Sequence, residues 1–213
     1  MLIKCFCLLL VLSFTQSAHF NGGSITWFPV DPTTNSSPVI ITLVQSYSWT
    51  YANVICAPNV PASTGNSIYR TINLTCVANC TTDGGYSTKP VSIATDCILA
   101  SASVGVMYSQ RAVNISLTAN ARFTIAYKSS GWRQLGNTNK ANADWSIVSL
   151  IDIRKRPDGL INTPPSSSVA SPQFVIPGKT TQLKVPVTDV NVNDDLRCRW
   201  ATKSTNRFLF LNM

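Results

Sequence analysis

Groups that can move protons or hold metals are few in this chain. It has one histidine, His19, and nine acidic residues, every one of them aspartate. A serine triad needs an imidazole inside the fold to take the nucleophile's proton, and His19 stands near the start. A zinc hydrolase needs at least two histidines, or one with carboxylates or thiolates. Paired-carboxylate hydrolysis can run on aspartate alone, but context singles out no two of these aspartates. Cleavage after Ala18 would leave His19 at an N-terminus, as in a copper brace, yet a brace also takes a second imidazole and the chain has none. The expectation is a non-catalytic protein; a secreted hydrolase ranks behind two binding alternatives.

Two groups of residues remain that could bind something. Asp189, Asn191, Asn193, Asp194 and Asp195 offer oxygen ligands at alternate positions, which suits a hard cation such as calcium. The segment lacks the glycine and terminal glutamate of an EF-hand loop, and Asp/Asn-rich stretches also make ordinary hairpin turns. Calcium is thus the one candidate cofactor. The five tryptophans are the second group. Trp27 and Trp200 lie inside strand patterns and read as core. Trp49 and Trp132 fall in or near turns and are the candidates for stacking on sugar rings.

Residues 1–18 read as a secretory leader: Lys4, then the ten apolar residues 5–14, then small Ser17 and Ala18. The apolar run is too short to span a hydrocarbon core, and no later stretch is longer. A secreted or extracellular protein is expected, at the cell surface if it belongs to a longer anchored form. Losing the leader removes Cys5 and Cys7 and leaves Cys56, Cys76, Cys80, Cys97 and Cys198. In an oxidising compartment the first four predict two disulfides with three pairings open; Cys76 with Cys80 is the least comfortable because its loop is so small. Cys198 is odd, and it either links two chains into a dimer or pairs beyond Met213. Four sequons, at Asn35, Asn73, Asn79 and Asn114, fit the same compartment.

The formal charge of +8 falls to +7 without Lys4. Basic residues cluster only at Arg154-Lys155-Arg156 and around Arg197 and Arg199. For a secreted chain the matching partner is an anionic polysaccharide or lipid surface rather than nucleic acid, and the plainer reading is a solvated strand edge.

Behind these groups lies a β-rich chain. Absence of glutamate, with 24 serines, 22 threonines and 17 asparagines, disfavours helices and supplies strand and turn residues. Strands are expected at 24–30, 39–44, 69–77, 113–117, 122–127 and 147–153. Residues 94–107 are the nearest approach to a helix, weakened by Gly105. The fold class predicted is all-β: a disulfide-stapled, β-sandwich-like domain over 19–156, a Pro/Ser linker over 157–172, a partial cadherin- or immunoglobulin-like β module over 173–202, and a tail over 203–213. Within that module, strands are expected at 173–176, 181–187 and 196–200.

The segments His19–Trp27, Phe123–Tyr127 with Trp132, Asp158–Pro164 and Asp189–Ala201 resemble N-terminal β-rich ectodomain modules of invertebrate secreted and cell-surface proteins. That resemblance implies extracellular recognition, adhesion or a matrix role, with further domains and often an anchor following, and it carries over no active-site residues. Where such modules have an Asp-Gly-Asp type turn before Cys-Arg-Trp, this chain has Asn-Val-Asn-Asp-Asp. The alternative is a lectin-like carbohydrate-binding module.

Overall fold

The computed structural model describes residues 19–51, 72–133, 143–167, 175–191 and 194–198. Among them the chain is all-β. Seven strands share one sheet: β1 (Phe20–Pro29), β2 (Val39–Thr50), β3 (Thr75–Ala78), β4 (Asp96–Ser101), β5 (Val106–Leu117), β6 (Arg122–Trp132) and β7 (Ala143–Asp152). Their order is β3-β6-β1-β2-β5-β4, with β7 on the other side of β6. The link between β6 and β1 is one parallel pairing, Phe20 with Trp132. All other pairings in the sheet are antiparallel.

At that single joint the sheet folds back, so that β1 and β2 face β6 and β7. Tyr47 of β2 meets Tyr127 of β6 with ring centroids 5.3 Å apart. Trp27 Nε1 of β1 donates to the Leu150 carbonyl of β7 at 2.7 Å. Ile25, Trp27, Ile41, Leu43, Tyr47, Phe123, Ile125 and Ile151 are buried in one shared core. This is the sandwich-like arrangement that the alternating strands require, since each sheet half has one apolar face to cover.

Strand alternation reads directly in β5: Asn114 and Ser116 are exposed, while Val113 and Ile115 are half-buried and Leu117 is buried. In β6 the alternation is lost. Phe123, Ile125 and Tyr127 are buried as their pattern requires, but so are Thr124 and Ala126. β6 lies between β3 and β7, and the single 3₁₀ turn at Cys80–Thr82 sits against it, with Thr82 Oγ1 donating to the Arg122 carbonyl at 2.7 Å. The 94–107 region forms β4 and the turn into β5 rather than a helix.

One pairing left open by the sequence is decided here, and two expectations are corrected. Cys76 and Cys80 are bonded to each other. Asn79 takes a left-handed conformation, φ 56° and ψ 38°, which reverses the chain and brings the two Cα atoms to 5.8 Å, within the usual span. Cys97 is also disulfide-bonded, Cys198 is free and exposed, and Cys56 lies outside the described residues. Next, the start of the predicted linker is part of the core: Ile161 is fully buried and its N–H donates to the Pro32 carbonyl at 2.9 Å. Finally, of the strands expected after 173, the described residues form only the pair β8 (Ser166–Ser167) with β9 (Val187–Thr188). Leu183 and Val185 are exposed: among the described residues the alternating stretch has no neighbouring strand, and Pro186 has no N–H to give one. No helix among the described residues is long and apolar enough to cross a membrane.

Candidate functional site

The outer face of the β1-β2-β5-β4 half carries a groove of about 630 Å³. Its floor is made of small residues: Gly22, Gly23 and Ser24 of β1, beside Ser46 and Ser48 of β2. Leu99, Val104, Val106 and Tyr108 raise one wall, and Ser101 and Ser167 complete the lining. Register puts these residues together. Tyr47 and Gln45 of β2 face the core, so Ser46 and Ser48 face outward, and Ser48 lies opposite Tyr108, which in turn lies opposite Leu99.

Two glycines shape this stretch of β1, Gly23 on the core side. A Cβ on Gly23 would stand 2.5 Å from the Ser46 carbonyl oxygen and 2.8 Å from the Tyr47 ring, so β1 and β2 pair here only with glycine. Gly22, at φ +143° in the irregular pairing after Phe20, would project a Cβ into open space. Ser46 and Ser48 are each only 8% exposed. Ser46 Oγ accepts from Gln110 Nε2 at 3.0 Å. Ser48 lines the groove beside it. Among the described residues, none that lines the groove is charged.

The residues singled out by sequence lie elsewhere. Trp49 is in β2 rather than a turn, and Trp132 ends β6; both are half-buried against the core. They belong to an aromatic cluster around Phe20, whose ring stacks on Trp145 at 3.7 Å, with Trp49 at 4.9 Å and Trp132 at 5.6 Å. Tyr47 lies in the same cluster and donates to Gln45 Oε1 at 2.8 Å, and its burial pushes the phenol far above its ordinary pKa.

In the Asp/Asn loop, Asp194 accepts from Arg156 at two positions, both 2.9 Å, and Asp195 Oδ2 accepts from Arg197 Nε at 2.7 Å. Asn191 Oδ1 accepts from the Thr163 N–H, and Asn191 N–H donates to Asp189 Oδ1, an Asx-type turn. Asp189 Oδ2 is buried without a partner. Asn193 lies outside the described residues. No group of three or more His, Cys or Asp side chains among the described residues stands close enough to hold a metal ion.

The basic run is equally engaged. Arg154 pairs with Asp152, Lys155 Nζ donates to Asn35 Oδ1 and the Thr33 carbonyl, and Arg156 holds Asn162 and Asp194. It is therefore a set of internal ties rather than an open basic patch. Of the sequon asparagines, Asn35, Asn79 and Asn114 are exposed, while Asn73 is half-buried in a bridge with Ser92. Asn35 and Asn114 use Oδ1 as acceptors, from Lys155 and from Thr42, which leaves the amide nitrogen, the glycan's attachment point, outside those bonds.

Sequence reasoning missed the groove because its floor is glycine and serine from separate strands, with none of the residue types that signal chemistry. The available clue was Ser46-x-Ser48 on the outward phase of a strand whose inward phase is Leu43, Gln45 and Tyr47. No family model, curated protein or solved structure matches this chain.

Proposed function

We propose that this chain is a non-catalytic, secreted or cell-surface glycoprotein module for extracellular recognition, and that the groove over β1, β2, β5 and β4 is its binding surface. The observation that carries the reading is the groove itself, of about 630 Å³, with Gly22, Ser24, Ser46 and Ser48 on its floor and Leu99, Val106 and Tyr108 on its wall. Among the described lining residues Tyr108 is the one titratable group, which favours binding over catalysis. The leader-like first 18 residues, the exposed sequons and the disulfides support an extracellular setting.

The test uses the full chain, produced through a secretory host, fluorescently labelled and applied to cell surfaces and extracellular matrix. Saturable binding that Ser48→Tyr abolishes, with the melting temperature kept, supports the reading. Binding that ignores Ser48→Tyr, or turnover of a glycan or peptide substrate by the protein, overturns it. A lectin-like role is the second reading, favoured by the hydroxyl-rich floor beside Tyr108.

A further inference from the structure

Building on the recognition reading, we infer that the groove takes a neutral, hydroxyl-rich glycan chain. Charge argues first. The protein carries +8, yet among the described residues none that lines the groove is charged, so an anionic ligand finds no counter-ion on them and a cationic one no acid. Hydroxyl chemistry argues next. Serine hydroxyls both donate and accept, as sugar hydroxyls do, and the floor presents Ser24, Ser46 and Ser48 side by side. The Gln110 amide orients Ser46 by donating to its hydroxyl. Shape completes the match. A pyranose has polar edges and apolar C–H faces, and Tyr108 with Leu99 and Val106 forms an apolar wall for such a face beside a polar floor.

A peptide fits less well. Peptides add to sheets at open edges, where main-chain N–H and C=O groups are free. The groove's floor lies over β2, whose main-chain groups the β1-β2 and β2-β5 ladders already use. The nearby edge strand, β4, has a register shift between Cys97 and Leu99 that interrupts a continuous ladder. Trp49 and Trp132, the aromatic residues first expected to stack on sugar, have rings committed to Phe20.

The test is calorimetric titration of the full chain with cellohexaose, laminarihexaose, chitohexaose and mannohexaose, and with a heparin hexasaccharide as the anionic comparison. The expected result is binding of at least one neutral hexasaccharide that persists at high salt, weakened about tenfold or more by Ser48→Tyr and by Tyr108→Ala. Leu99→Ala, at an exposed wall position, serves if either variant fails to fold. If no neutral hexasaccharide binds but an extended-peptide library does, and Ser48→Tyr abolishes that, the glycan assignment falls while the groove stands. If a neutral glycan binds and the groove variants leave its affinity unchanged, the groove reading itself falls. Binding of the heparin hexasaccharide alone, lost with salt, overturns the glycan assignment.

Discussion

Arg156 grips Asp194 with two nitrogens, Nη1 to Oδ2 and Nη2 to Oδ1, each at 2.9 Å. The same guanidinium holds Asn162 Oδ1 at 2.6 Å. The pair joins residues 38 positions apart and fastens Asp194 to the segment that follows β7. Arg156→Gln should therefore loosen the Asp/Asn loop without unfolding the sandwich. The Thr163 N–H, held by Asn191 Oδ1, is expected to exchange faster with solvent, while the amides of Phe123 and Ile125 keep their protection. Unchanged exchange at Thr163 would show that the grip holds nothing in place.

Calcium must compete with that arginine. With Asp194 taken by Arg156 and Asp195 by Arg197, two of the carboxylates expected as ligands already have a cation. Titration of the unmodified protein with calcium should give no binding heat and no change in melting temperature. Arg156→Gln leaves Asp194 without its guanidinium and should make the melting temperature respond to calcium. A calcium response in the unmodified protein sinks this account of the loop.

Glycosylation should follow exposure. Asn114 sits on the solvent side of β5, opposite Thr42. Asn114→Gln should remove one glycan's mass from the secreted protein, and Asn35→Gln another, as read by gel shift before and after endoglycosidase. Asn73, half-buried in its bridge with Ser92, should contribute less mass than either.

How far the sequence reveals the structure depends on where each residue sits in the sheet. Val113 to Leu117 shows its alternation because the outer face of β5 is open to solvent there. Thr124 and Ala126 break the same logic because β6 is covered on both faces, which no local pattern announces. Leu183 and Val185 alternate as well as any core strand, yet stay exposed; alternation says that a strand could be buried and not that a partner is present. Cys76 with Cys80 looked too tight only because spacing does not reveal the left-handed Asn79 between them. The groove was illegible for a different reason: it is defined by side chains that are small, so its signal is space.

Acid should expose a second set of ties. Asp83 is buried, which works to raise its pKa, but hydrogen bonds from Ser87 and Gly85 outweigh burial and hold the carboxyl below its ordinary 3.8. At Asp152 burial likewise acts upward and the Arg154 and Arg122 partners win. A depressed folded pKa means that the native state binds protons less readily than the unfolded one. The stability from these groups is complete above about pH 4 and drains away as pH falls through their folded values. Asp83→Ala removes acceptors at 2.9 Å from both Gly85 and Ser87 and should cost about 2 kcal/mol at neutral pH. Its cost should shrink toward zero as pH approaches 2. A pH-independent cost, measured by denaturant unfolding, would refute the charge-based explanation.

The deepest dependence of the fold is on Phe20. It is fully buried, stacks on Trp145 at 3.7 Å, and meets Tyr47, Trp49 and Trp132 edge-on. It is also the residue whose pairing with Trp132 joins the two halves of the sheet, and its carbonyl accepts from the Arg133 N–H at 3.0 Å. Phe20→Ala keeps that backbone bond and removes only the ring. The cavity left among three tryptophans and a tyrosine should cost about 3–5 kcal/mol, much of the stability of an ordinary domain. Phe20→Leu, which refills part of the volume, should recover a large share. Tryptophan fluorescence should shift to the red in Phe20→Ala before global unfolding, because Trp49 and Trp132 are already half-exposed and lose the ring that covers them. If Phe20→Ala unfolds at the same denaturant concentration as the parent, the two halves are held together by something other than this cluster.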